Sequence, residues 1–117
     1  APERISIEGP PLLLPPEAAQ YLALALHELA TNATKHGVLS RSEGGLKVTW
    51  RSVPMDEGGR IELEWIETGR PLTAPTRWGF GRRLLETLIP RALKGDASLQ
   101  FDGAGLAWRI AFDAGQL

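Results

Sequence analysis

The sequence predicts an α+β two-layer sandwich: a mixed, mostly antiparallel five-stranded sheet packed on one face by helices. Three observations predict it. Apolar residues alternate along short runs, as half-buried strands require, and recur at three- and four-residue steps along longer runs, as amphipathic helices require. These runs follow the order strand, helix, two strands, helix, two strands, which suits helices gathered on one sheet face. Glycine- and acid-rich turns join the strands of each pair, as hairpins need.

Each element has a local reason. Arg4 to Glu8 alternates, with Ile5 and Ile7 on one side and Ser6 on the other, and Gly9-Pro10-Pro11 ends it. Pro15-Pro16-Glu17 then starts a helix, because proline lacks only an N–H that has no partner there and the acid suits the positive dipole end. That helix is predicted over Pro16 to His36. Leu22, Ala25, Leu26, Leu29 and Ala33 form its buried stripe, and Gly37 serves as C-cap. Val38 to Gly45 reads as a loop. Leu46 to Val53 and Arg60 to Glu67 alternate as a hairpin turning at Met55 to Gly59. Thr68 to Trp78 is irregular. A second helix starts near Gly79 or Gly81 with Leu84, Leu85, Leu88, Ile89 and Ala92 as its apolar face; Pro90 kinks or locally breaks it, and Gly95 ends it. Ala97 to Phe101 and Leu106 to Phe112 close the chain as a hairpin.

At 117 residues the chain suits one domain, 1–117, and a 43% hydrophobic, 23% charged composition is that of a folded protein. Thirteen basic and fourteen acidic residues leave a net charge of −1, so no overall field draws it to nucleic acid. With zero cysteines, disulfides and thiolate metal sites are excluded, which fits a cytoplasmic location. The longest apolar run, Leu22 to Leu26, is far below the ~20 residues of a membrane span, so direct membrane insertion is not expected. The start at Ala1, without Met, points to a fragment of a longer protein.

Three segments carry candidate chemistry. In His27-Glu28-Leu29-Ala30-Thr31-Asn32, Glu28 and Asn32 lie four apart on one helix face, and Lys35 and His36 continue that face. A solvated polar face is the plain alternative. Thr31, Asn32 and Thr34 are mediocre helix formers, however, and an Asn oxygen is a hard neutral ligand that Mg²⁺ accepts beside phosphate and water. In Trp65-Ile66-Glu67-Thr68-Gly69-Arg70-Pro71 an acid at a strand end precedes bare backbone, which is equally the pattern of an ordinary turn. Gly79-Phe80-Gly81-Arg82-Arg83 opens a helix with glycines and cations, where an anion can meet unpaired N–H groups; Arg82 and Arg83 either pair with phosphate or sit in solvent.

In this order, the three segments resemble the ATP-binding (Bergerat, or GHKL) fold shared by gyrase, the Hsp90 chaperones, histidine kinases and MutL proteins. Within it, His27 and Trp65-Ile66-Glu67 resemble the N-box His and Trp-x-Glu of the HWE subgroup of sensor histidine kinases, and Gly79 to Glu86 is similar to its second glycine box. The resemblance implies a bacterial two-component kinase domain that uses ATP and Mg²⁺. Asn32 would ligate Mg²⁺; Glu28 would polarise water or the attacking nucleophile, or hold a metal-bound water. His27 would orient Glu28 or Glu67. Lys35 and His36 would lie near the phosphates, with Gly79, Phe80, Gly81 and Arg82 in the phosphate-facing glycine box. Glu67 would accept from the adenine amine, and Gly69 would leave room for the base. The short stretch Arg70 to Trp78 leaves little room for a long lid, and Arg70 replaces a glycine.

The only two histidines, His27 and His36, both lie in the proposed nucleotide helix. The phosphoacceptor is therefore expected on dimerisation helices outside this chain, with a response regulator downstream. Two alternatives share the fold: a docking domain of a phosphotransfer protein that has lost ATP binding, and an anti-sigma-type serine kinase.

Overall fold

The computed structural model describes residues 4–55, 58–69, 80–102 and 105–116. Five strands, β1 (Ile5–Glu8), β2 (Gly45–Met55), β3 (Gly58–Thr68), β4 (Asp96–Asp102) and β5 (Gly105–Asp113), form one sheet in the order β1-β2-β3-β5-β4. Only β1 runs parallel to its neighbour; the other pairings are antiparallel. The predicted sandwich and both hairpins are present, with strands one or two residues longer at most ends than the alternation indicated.

Strand alternation sends one side chain in two to the helix layer. Val48, Trp65, Trp108 and Leu99 stand opposite one another across four strands, and all four are buried. Residues of the other parity face solvent, where Arg51 pairs with Glu62 and Arg109 with Glu64 directly across their strand pairs. Such exposed pairs define register more than they stabilise, each being worth at most about 1 kcal/mol. Ile5 and Ile7 share the helix-side parity of Leu46 and Val48, yet are 42% and 64% exposed, because β1 is the edge strand.

The first helix, α1 (Pro16–Lys35), carries Pro at its start, Glu17 in its first turn and Lys35 in its last. Ala18, Leu22, Ala25, Leu29 and Ala33 bury its stripe against the sheet; Leu26 is only partly buried. Three of these are alanines, each fully enclosed. Gly37 does not act as a left-handed C-cap: its φ is −104°, open to any residue. A short 3₁₀ turn, Val38–Ser40, follows within the predicted loop.

The second helical run has a specific irregularity. An α-turn, α2 (Phe80–Arg83), passes into a π-turn (Leu84–Leu88) and then α3 (Ile89–Ala92). The Ile89 N–H reaches back to the Leu84 carbonyl. In that register Leu85 would look to the N–H of residue 90, which is a proline and has none. The Trp108 indole supplies the missing donor, 3.1 Å from the Leu85 oxygen. Pro90 therefore produces the break that the sequence indicates, and the sheet caps the carbonyl it leaves. The run ends at Leu93, and the left-handed residue is Lys94 (φ 54°), one position before Gly95. Gly95 is small for another reason: a Cβ there would stand 2.2 Å from the Ala111 oxygen.

Candidate functional site

The candidate residues fall in two places: α1 meets the start of the second helical run at Glu28 and Gly81, and the turn after α1 meets the end of β3 at Gly37 and Glu67. Glu28 and Asn32 are half-buried on α1, and the Asn32 amide N–H donates to Glu28 Oε2 at 3.2 Å. That bond occupies the nitrogen side of the amide and leaves the Asn32 oxygen without a hydrogen bond among the described residues. Gly81 is buried against the same carboxylate: a Cβ on it would stand 2.9 Å from the Glu28 carboxyl carbon and 3.1 Å from each oxygen. The structure thus brings together Glu28, Asn32 and Gly81, three positions that the sequence separates by some fifty residues.

Lys35 and His36 are exposed at the end of α1, where the His36 N–H closes on the Asn32 carbonyl at 2.8 Å. Phe80 opens α2 and is 64% exposed. Arg82 turns along the surface to Glu86, Nε to Oε1 2.8 Å, an i,i+4 pair rather than a group aimed at the Glu28 cluster. His27 lies on the exposed side of α1 and makes no hydrogen bond among the described residues, so it orients neither Glu28 nor Glu67 in this arrangement. Gly79, Arg70 and the stretch expected to be a short lid lie outside the described residues.

Glu67 occupies an unusual place. It stands between Leu46 and Leu106 in a row that continues to Ile5 and Phe101, the one acid among apolar neighbours. It is 2% exposed, and both oxygens are already engaged: the Val38 backbone N–H donates to Oε1 at 2.9 Å, and the Trp65 indole to Oε2 at 2.9 Å. The Trp-x-Glu spacing has a simple cause, since residues two apart on a strand share a face and lie side by side. Gly37 is glycine because a Cβ would stand 2.4 Å from Glu67 Oε1 and 2.9 Å from the Ala33 Cα. Gly69 has φ +151° and would bring a Cβ within 2.9 Å of the Gly44 Cα.

Sequence reasoning missed Arg4. Its guanidinium donates to three carbonyls of the segment after α1: Val38 at 2.7 Å, Gly44 at 2.9 Å and Glu43 at 3.2 Å. A single arginine ahead of an edge strand carries no pattern that names such partners.

The donor chemistry fits a magnesium ion in one respect and limits it in another. The outward amide oxygen of Asn32 is a suitable hard ligand. Among the described residues, however, no three His, Cys, Asp or Glu side chains gather as a cation cage, so phosphate and water oxygens would have to complete the coordination. No helix among the described residues is long and apolar enough to cross a membrane.

No protein-family model matches the chain. The chain is 38% identical over 105 residues to the blue-light-activated histidine kinase of Brucella abortus, covering 88% of this chain and 21% of that protein. A homologous protein of Brucella anthropi with the same description is 36% identical over 104 residues. The chain therefore spans about a fifth of the length of the curated relatives it matches. Among solved structures, the histidine kinase domain of the Erythrobacter litoralis EL346 blue-light-activated histidine kinase superposes with a TM-score of 0.73 at 22% identity, over 97% of this chain and 52% of that one. The nucleotide-free catalytic domain of the histidine kinase ThkA gives 0.68 at 14% identity, over 94% and 77%.

Proposed function

Since the chain is related in sequence to histidine kinases and has the fold of their catalytic domains, we propose that it binds Mg-ATP and presents the γ-phosphoryl to a histidine on separate dimerisation helices. It would be the catalytic domain of a longer two-component kinase whose phosphate passes on to a response regulator.

The observation that carries this reading is the convergence of Glu28, Asn32 and Gly81. Phosphoryl transfer calls for placement of charge more than covalent chemistry, so a metal ligand, a carboxylate and a close-approach glycine form a coherent set. A magnesium ion held at the Asn32 oxygen would neutralise charge on the phosphates. Glu28 accepts from Asn32 and so fixes which end of the amide faces outward. Its second oxygen would accept a proton or hold a water beside the transferred group. Gly81 allows the phosphate-facing segment to lie directly on that carboxylate, and Lys35 adds positive charge at the end of α1.

The test is transfer in trans. With γ-labelled ATP, this chain should label an added helical hairpin that carries a phosphoacceptor histidine, and Asn32→Ala should abolish the labelling. The chain alone should stay unlabelled. Normal ATP binding with no transfer to any such hairpin would contradict the kinase reading.

A further inference from the structure

We infer that Arg4 is a positioning residue for the base end of the nucleotide site. Its guanidinium closes the segment from Val38 to Gly44 and so keeps the Val38 N–H on Glu67, which fixes the orientation in which that carboxylate accepts from the adenine amine. The inference rests on the nucleotide-binding reading above and adds to it a residue that acts through Glu67 rather than on the nucleotide.

Three observations carry it. The first is the span of the hold. Parallel pairing sets Ile5 beside Leu46, so Arg4 lies level with Gly45 at the start of β2. From there one side chain donates to both ends of the preceding segment: Nη2 to the Val38 oxygen at 2.7 Å and the Glu43 oxygen at 3.2 Å, and Nε to the Gly44 oxygen at 2.9 Å. A guanidinium offers its donors in a rigid fork, and its charge makes each bond stronger than a neutral one.

The second is what the closed segment presents. Arg4 holds the Val38 carbonyl, while the N–H of the same residue donates to Glu67 Oε1 at 2.9 Å. Trp65 donates to Oε2, also at 2.9 Å. A carboxylate has about four lone-pair sites, so one donor on each oxygen aims the group and leaves a site on each for a ligand. Without the Val38 donor, Oε1 loses its aim.

The third is that the segment has no slack against β3. Gly44, at φ +102°, lies where a Cβ would stand 2.6 Å from the Val38 Cγ2 and 2.7 Å from the Thr68 oxygen. A Cβ on Gly69 would stand 2.9 Å from the Gly44 Cα. A shift of this segment therefore reaches Glu67 and Gly69 together, the two positions assigned to the base.

Purine riboside triphosphate lacks only the 6-amino group of ATP, so the ratio of the two affinities measures how well Glu67 accepts from the amine. Both nucleotides are titrated into the full chain, wild type and Arg4→Met. Positioning predicts that Arg4→Met removes most of the ATP advantage, a change of roughly tenfold for one misaligned hydrogen bond, with a smaller loss for the analogue. An ATP advantage equal to wild type overturns the inference, because a merely structural role weakens both nucleotides alike. Amide hydrogen exchange reads the hold without nucleotide. In Arg4→Met the Val38 amide should exchange at least ~10-fold faster, while the β5 amides from Trp108 to Ile110 keep their wild-type rates. Unchanged Val38 exchange overturns the hold, and so does a rise shared equally by β5, which marks general destabilisation. Arg4→Lys keeps the charge without the fork and should show both changes in smaller measure; it carries the test if Arg4→Met does not fold. Equal affinities for the two nucleotides in the wild type would overturn the inference as well, since Glu67 then reads no amine. A wild-type chain that binds neither would count against the proposed function, while the Val38 exchange rate would still decide the hold.

Discussion

Gly81 rests on Glu28 so closely that a methyl group on the glycine would stand 2.9 Å from the carboxyl carbon. Two segments remote in sequence therefore touch at the one point where phosphate chemistry is proposed. Gly81→Ala should displace the end of a flexible side chain, at a cost to stability within about 1 kcal/mol. Nucleotide affinity should fall much further, roughly tenfold or more, because Glu28 and its partner Asn32 move together. Thermal unfolding and nucleotide titration on the same variant check the contrast; wild-type affinity would detach this glycine from the site.

Asn32→Ala should separate function from fold in the same way. The substitution loses a half-buried hydrogen bond to Glu28, worth about 0.5–1.5 kcal/mol. It gains helix propensity of about 0.6 kcal/mol, since alanine is the better helix former. These effects nearly cancel, so the melting temperature should hardly move while magnesium-dependent binding is lost. A variant that keeps that binding would remove Asn32 from its role as ligand.

Gly37→Ala should destabilise the fold by about 1–3 kcal/mol, the range for overpacking. The backbone there is ordinary, with φ −104°, so the cost is purely steric: the Cβ would meet Glu67 Oε1 at 2.4 Å and the Ala33 Cα at 2.9 Å. Chemical denaturation measures it. Unfolding indistinguishable from wild type would mean that the carboxylate is not packed as tightly as described.

Trp108→Phe tests the cap on the π-turn. Phenylalanine keeps a ring in the fully buried position but removes the donor to the Leu85 carbonyl. An unsatisfied buried carbonyl costs about 1–3 kcal/mol, to which some lost volume adds. Denaturant unfolding should show at least that loss, and a neutral substitution would show that another donor reaches Leu85.

Much of this was legible in the sequence for a physical reason. Strand alternation and helical periodicity are local, so the five strands, α1 and the break at Pro90 could be placed from neighbouring residues. The pairing of Glu28 with Asn32 was legible too, since four residues make one helix face. The contacts that give those elements their meaning are not local. Arg4 reaches carbonyls 34, 39 and 40 residues away, and Trp108 caps a carbonyl 23 residues away. Gly37 and Gly95 read locally as helix ends, whereas their smallness is imposed by Glu67 and by β5. The expected tie from His27 to an acid fails because position 27 faces solvent on α1. Glu67 was picked out by its motif, but its partners became visible only once Val38 had folded over the end of β3.

The central claim is that this chain is an ATP-binding kinase domain whose metal site is organised around Asn32. Calorimetric titration of the chain with ATP, in the presence and absence of Mg²⁺, tests it most directly. The account predicts saturable binding that depends on magnesium. No measurable binding at millimolar ATP, with or without the ion, would contradict it and leave the fold serving as a docking domain alone.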